Sequence, residues 1–171
     1  MFSKKTLFVP SALVLISVLG VSAANAQDAT CLYTLASLQG SYAVLVNYGA
    51  NVAIGIQPES LDGNGNLTRT GVLNQPTAGS TTGARTVATV TSRGTYTVSC
   101  NGTGTITRIV TRPDGSTAPA VDDFIITSAV RLFSGSSYVL IATTIVDAQR
   151  DPSVILPGGV FVTRVHTRLP N

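Results

Sequence analysis

Beyond Gln39 no stretch of this chain sustains a helical period over three turns, and short alternating runs are cut at close intervals by turn signals. Asp62-Gly63-Asn64-Gly65, Asn101-Gly102, Pro113-Asp114-Gly115, Ser134-Gly135-Ser136 and Pro157-Gly158-Gly159 are such signals; Gly, Asn and Asp accept the positive φ that tight turns need. Thr and Val abound between them. β-Branched side chains lose rotamer freedom in a helix and pack well on a pleat. Regularly spaced short strands of this kind read as an all-β fold.

Eight strands are predicted, at 41–48, 52–61, 66–74, 86–99, 103–112, 121–133, 137–147 and 159–168. One helical turn is predicted at Thr34–Gln39, stopped by Gly40. Short connections between eight strands suit a single antiparallel barrel, because closure removes exposed edges. A two-sheet sandwich is the competing architecture. Thr77 to Ala84 reads as the most mobile loop, and Asp147 to Pro157 as an irregular connection.

The strand faces carry further information. Val90, Ser92, Gly94, Tyr96, Val98 and Cys100 share one face, and Thr91, Arg93, Thr95, Thr97 and Ser99 the other, as in a half-buried antiparallel strand. Phe124, Ile126, Val130 and Leu132 are expected on one side of their strand. Residues 138–146 are apolar on both faces, which predicts a strand covered on both sides.

The first 26 residues read as a secretory signal. Lys4-Lys5 precedes an apolar run from Leu7 to Val21, and Ala24-Asn25-Ala26 has the small-x-small form of a cleavage site. Cleavage after Ala26 is expected, leaving a single domain over 27–171 that is exported to the periplasm or the outside. The net charge of +3 would then fall to +1, because both lysines leave with the signal. The nine remaining arginines are scattered, so no basic patch for nucleic acid is expected. Cys31 and Cys100 are the only cysteines, and in an oxidising compartment they are expected to pair.

The segments Leu38-Gln39-Gly40-Ser41-Tyr42, Leu61-Asp62-Gly63-Asn64-Gly65-Asn66-Leu67 and Gly94-Thr95-Tyr96-Thr97-Val98-Ser99-Cys100-Asn101-Gly102-Thr103-Gly104-Thr105 resemble those of a group of small, mostly uncharacterised exported bacterial proteins. The resemblance implies a calycin-like, allene-oxide-cyclase-like barrel and brings no catalytic residues. Gly40-Ser41-Tyr42 is also similar to the Gly-x-Trp that opens a lipocalin barrel, with Tyr in place of Trp. That likeness implies a late-strand arginine, Arg164 or Arg168, over the aromatic ring.

The chemistry of the sequence is mostly negative. One His and two Cys cannot build a conventional zinc site, and no cofactor motif is present, so no cofactor is expected. Asp62, Asn64 and Asn66 alternate as calcium ligands do, but no acid closes the loop, and a hairpin turn is the preferred reading. Asp122 and Asp123 point to opposite faces and cannot act as a carboxylate pair. Arg108 and Arg112 share parity with Ile106 and Val110, which leaves the facing of that strand ambiguous. Val160, Val162, Arg164, His166 and Arg168 share a face of the last strand. The default expectation sets that face in water; with Phe161 and Val165 outward instead, Arg164, His166 and Arg168 become candidates to contact an anion.

Three functions follow as expectations. The first is a binding module for a small apolar or amphipathic ligand, without stable membrane insertion. The second is an eight-stranded outer-membrane barrel. The third is an enzyme that works mainly by shaping an apolar pocket.

Overall fold

Asp62 shows how locally the topology is set. Its Oδ1 accepts hydrogen bonds from the backbone N–H of Asn64 at 2.8 Å and of Asn66 at 2.9 Å. Gly63 and Gly65 take the positive φ that this tight loop demands. The result is the predicted hairpin between the second and third strands.

The protein is described by a computed structural model covering residues 31–49, 52–153 and 160–170. The expected signal segment 1–26 and the turn at Pro157–Gly159 lie outside the described residues. A 3-10 turn at Leu35–Leu38 precedes eight strands: β1 (Gln39–Asn47), β2 (Ile54–Asp62), β3 (Asn66–Pro76), β4 (Arg85–Val98), β5 (Thr103–Thr111), β6 (Thr117–Ser134), β7 (Ser137–Gln149) and β8 (Thr163–Arg168). Each strand pairs antiparallel with the next, and β8 returns to β1 to close the barrel. The barrel therefore stands and the sandwich does not. Residues 77–84 connect β3 and β4, and Ser153 bridges Val160 within the irregular connection before β8. The predicted last strand began at 159; the described β8 begins at Thr163.

Two apolar layers fill the bore. The lower one holds Leu38, Tyr42, Leu61, Leu67, Tyr96, Ile106, Phe124, Ile126, Ala142 and Ile145. The upper one holds Val44, Val46, Tyr48, Ala53, Leu73 and Val162. The 3-10 turn seals the lower end: Leu38 is fully buried, and the Tyr96 hydroxyl lies within hydrogen-bond reach of the Leu35 and Leu38 carbonyls. The expected Cys31–Cys100 disulfide is present and ties this turn to the end of β4.

Two face assignments need correction. Val130 and Leu132 do not share the buried face of Phe124 and Ile126. The β6–β7 register shifts between Ile126 and Ala129, which changes the parity, and beyond it β6 has left the barrel with both faces in the open, so both residues are exposed. Residues 138–146 are not covered on both sides throughout. Ile141, Ala142 and Ile145 are buried, whereas Tyr138 and Val146 face out.

Candidate functional site

Between the two apolar layers the bore is crossed by charge. Glu59, Arg69, Arg108, Asp122, Asp147, Arg164 and His166 are all buried, none more than 4 % exposed. Each shares parity with inward apolar neighbours on its strand: Glu59 with Leu61, Arg69 with Leu67, Arg108 with Ile106 and Val110, Asp122 with Phe124, Asp147 with Ile145. The alternation that packs the wall therefore also aims these groups inward.

The network is tightly paired. Arg108 grips Asp122 in two-pronged fashion, with Nε at 2.6 Å and Nη2 at 3.1 Å. Arg164 Nη1 donates to Asp122 at 2.8 Å and to Asp147 at 2.9 Å. Arg69 Nε donates to Glu59 at 2.8 Å. His166 lies between two carboxylates, its Nδ1 2.7 Å from Glu59 and its Nε2 2.7 Å from Asp147. A carboxylate only accepts, so both ring nitrogens must carry protons and the ring is an imidazolium. Burial opposes that charge, but Glu59 and Asp147 outweigh it and hold the His166 pKa above its ordinary value. Burial likewise pushes the Glu59 carboxyl up, and Arg69 and His166 overcome it, holding the group at about 2. Asp147 is held well below the usual carboxylate range against its own burial, by His166 and Arg164.

Three guanidiniums and one imidazolium face three carboxylates, which leaves one positive charge in excess. Arg69 Nη1 is buried without a hydrogen-bond partner. Above the network, Tyr48, Gln57, Ser92, Arg108 and Arg164 line one space of about 10 Å³, beneath the apolar Val90 and Val110. Tyr48, Gln57 and Ser92 are each more than nine-tenths buried, and among the described residues their side chains make no hydrogen bond. Burial raises the Tyr48 pKa, so its hydroxyl remains a donor. Gly94 and Gly71 give this layer its room. A Cβ on Gly94 would stand 2.8 Å from the Arg108 Cβ, and one on Gly71 would stand 2.5 Å from the Gln57 Cγ.

Of the predicted candidates, Arg164 and His166 are inside, with Phe161 and Val165 outward, so the solvated-face expectation for this strand is overturned. Arg168 is apart: it sits at the lower end, bonded to the Gln39 carbonyl, opposite Tyr42 in the β1–β8 register. Arg108 faces inward, and Asp122 and Asp123 take opposite faces as expected. Sequence reasoning missed Glu59, Arg69 and Asp147, and the unpartnered Tyr48, Gln57 and Ser92. The readable signal was a polar residue at an inward position on several strands at once. Both nitrogens of His166 are engaged and the ring is fully buried.

A pH profile follows. The His166 contribution, from a raised pKa, is complete below about pH 6.5 and is lost as pH rises through the folded value. The Glu59 contribution, from a lowered pKa, is complete above about pH 4.5 and is lost as pH falls towards 2, a difference of about 3 kcal/mol. Urea midpoints are expected to peak between these limits. His166→Gln should flatten the alkaline limb; an unchanged limb would place the titration elsewhere.

No family model matches the chain, and neither a curated protein nor a solved structure is significantly similar to it.

Proposed function

We propose that this chain is an exported β-barrel binding module for a small amphipathic ligand with an anionic head, built on the calycin-like pattern its turn motifs resemble. The observation that carries the reading is the convergence of Tyr48, Gln57 and Ser92 with Arg108 and Arg164 on one space. Among the described residues Arg69 Nη1 alone is shut off from solvent without a partner, and leaving such a donor unpaired costs about 1–3 kcal/mol; the polar atoms of Tyr48, Gln57 and Ser92 are also without hydrogen bonds but keep a small accessible area. An anionic head would accept from these donors and offset the excess positive charge; because the space is only about 10 Å³ and the upper apolar layer is packed, that layer would have to open to admit the head and take the rest of the ligand. The disulfide supports an oxidising location, periplasmic or extracellular.

One observation favours a second reading. Outward-facing Ile125, Val146, Val165, Leu45, Ile56 and Val72 stand opposite one another in turn across six strands. A charged bore inside an apolar belt is the pattern of an outer-membrane barrel. Arg93 and the outward Thr of β4 and β5 fit that pattern poorly.

Fractionation followed by native mass spectrometry decides between the two. A soluble exported protein carrying a reproducible small-molecule mass supports the module. Recovery only in carbonate-washed outer membrane supports the second reading. In thermal-shift titrations with straight-chain carboxylates from acetate to decanoate, the module predicts a rise in melting temperature. The double variant Gln57→Leu/Ser92→Val should abolish that rise while leaving the ligand-free barrel folded, because neither side chain is hydrogen-bonded to another residue. No added mass and no shift with any carboxylate would overturn the reading and assign the space to a buried water, which it is just large enough to hold.

A further inference from the structure

β6 and β7 continue beyond the barrel. The last β5 partner on β6 is Ile125, and the last β8 partner on β7 is Thr144. Past these points the two strands pair only with each other, down to the turn at Gly135-Ser136. Behind the exposed polar turn Ser134-Gly135-Ser136-Ser137 the ribbon is apolar on both faces. Leu132 stands opposite Val139 on one face, and Phe133 opposite Tyr138 on the other. Leu132, Phe133 and Tyr138 are 56 %, 66 % and 48 % exposed. Arg131 lies over the Tyr138 ring, 4.9 Å from its centroid, and Phe133 packs on the same ring at 5.8 Å. From Phe124 to Val146 Arg131 is the only charged residue.

We infer that this ribbon is a membrane-docking element that inserts its tip into the interface of an anionic lipid surface. The argument rests on the two faces. Both faces carry exposed apolar side chains, and a lipid interface takes up both at once, whereas packing on a flat protein surface would cover one of them. The end of the ribbon has a composition that such an interface accepts: a neutral serine turn at the headgroup level, aromatic and aliphatic side chains behind it, one cation and no acid. The cation is complementary to anionic headgroups. The ribbon projects from the lower end, so docking would leave the upper end, nearer the polar space, facing the aqueous side. The inference does not depend on the ligand reading, since it uses none of the bore residues.

The protein has no tryptophan, so Tyr138→Trp provides a fluorescence reporter at the tip. With phosphatidylglycerol/phosphatidylethanolamine vesicles its emission should shift to the blue, and the protein should float with the lipid. Leu132→Ser/Phe133→Ser/Tyr138→Ser should lower the partition coefficient by at least about tenfold. Arg131→Glu alone should lower it by roughly fivefold on these vesicles and little on pure phosphatidylcholine. All these positions are exposed, and circular dichroism with the melting temperature checks that the barrel is retained. Absence of partition, or partition that the triple variant leaves unchanged, overturns the inference. A dimer by light scattering that the triple variant dissolves, without vesicle binding, also overturns it and assigns the tip to a second copy. Gln57→Leu/Ser92→Val should leave the vesicle result unchanged whatever it does to ligand.

Discussion

Asp122→Ala is expected to destabilise the barrel by about 3–5 kcal/mol in urea unfolding near pH 6, the cost of removing one partner from a buried ion pair. Asp122 is fully buried and takes the charge of two guanidiniums, Arg108 from β5 and Arg164 from β8. Without it both stay buried, and Arg108 loses its two-pronged carboxylate. Burial and the neighbouring Arg164 charge already lower the Arg108 pKa. The control is the next residue. Asp123 faces out and pairs with Arg150, with both side chains about half exposed. Asp123→Ala should cost no more than about 1 kcal/mol, as exposed pairs do. Adjacent aspartates with such different costs would measure directly the difference between the charged layer of the bore and the outer face. Equal costs would mean that water reaches the network and screens it.

The whole network is a different matter from any one member. Replacing a buried ionic group entirely by well-packed apolar residues is often neutral or stabilising. A charged layer between two apolar ones is thus not the cheapest way to fill this bore.

The fold was legible because its signals are local. Alternation, β-branched composition and the turn at Asp62–Asn66 each act within a few residues, and antiparallel neighbours need only short turns. The disulfide was legible because only two cysteines exist. The network was not, for a physical reason. Its members come from β2, β3, β5, β6, β7 and β8, and Glu59 reaches His166 across 107 residues of sequence. An inward arginine such as Arg108 looks like a break in the apolar pattern until its carboxylate is known. Position 164 was ambiguous because the solvated-face and bore-facing readings use the same alternation; only closure of β8 on β1 decides between them. The parity error at Val130 and Leu132 has a different source. A bulge adds one residue to the count without a sequence mark of its own.

Loss of the disulfide should be the other large effect. Cys31 and Cys100 are 69 residues apart, and closing a loop of that size restricts the unfolded chain by about 4 kcal/mol on the chain-entropy model. The native side of the balance is small. Cys31 leads directly into the segment that seals the lower end, where the Tyr33 backbone N–H donates to the Cys100 carbonyl at 3.3 Å and Leu38 enters the lower layer. Cys31→Ser/Cys100→Ser should therefore lose about 2–4 kcal/mol in urea unfolding, and the wild type under reducing conditions should lose the same amount. Because the constraint acts mainly on the unfolded chain, both forms should keep the wild-type circular dichroism spectrum and melt cooperatively at a lower temperature. If instead the seal needs the covalent tie to stay in place, the reduced protein will expose Leu38 and Tyr96, bind a hydrophobic dye and melt broadly. A reduced protein as stable as the oxidised one would contradict both accounts. It would mean that the Tyr96 bonds to the 3-10 turn, together with Leu38, already hold that end closed in every state that matters.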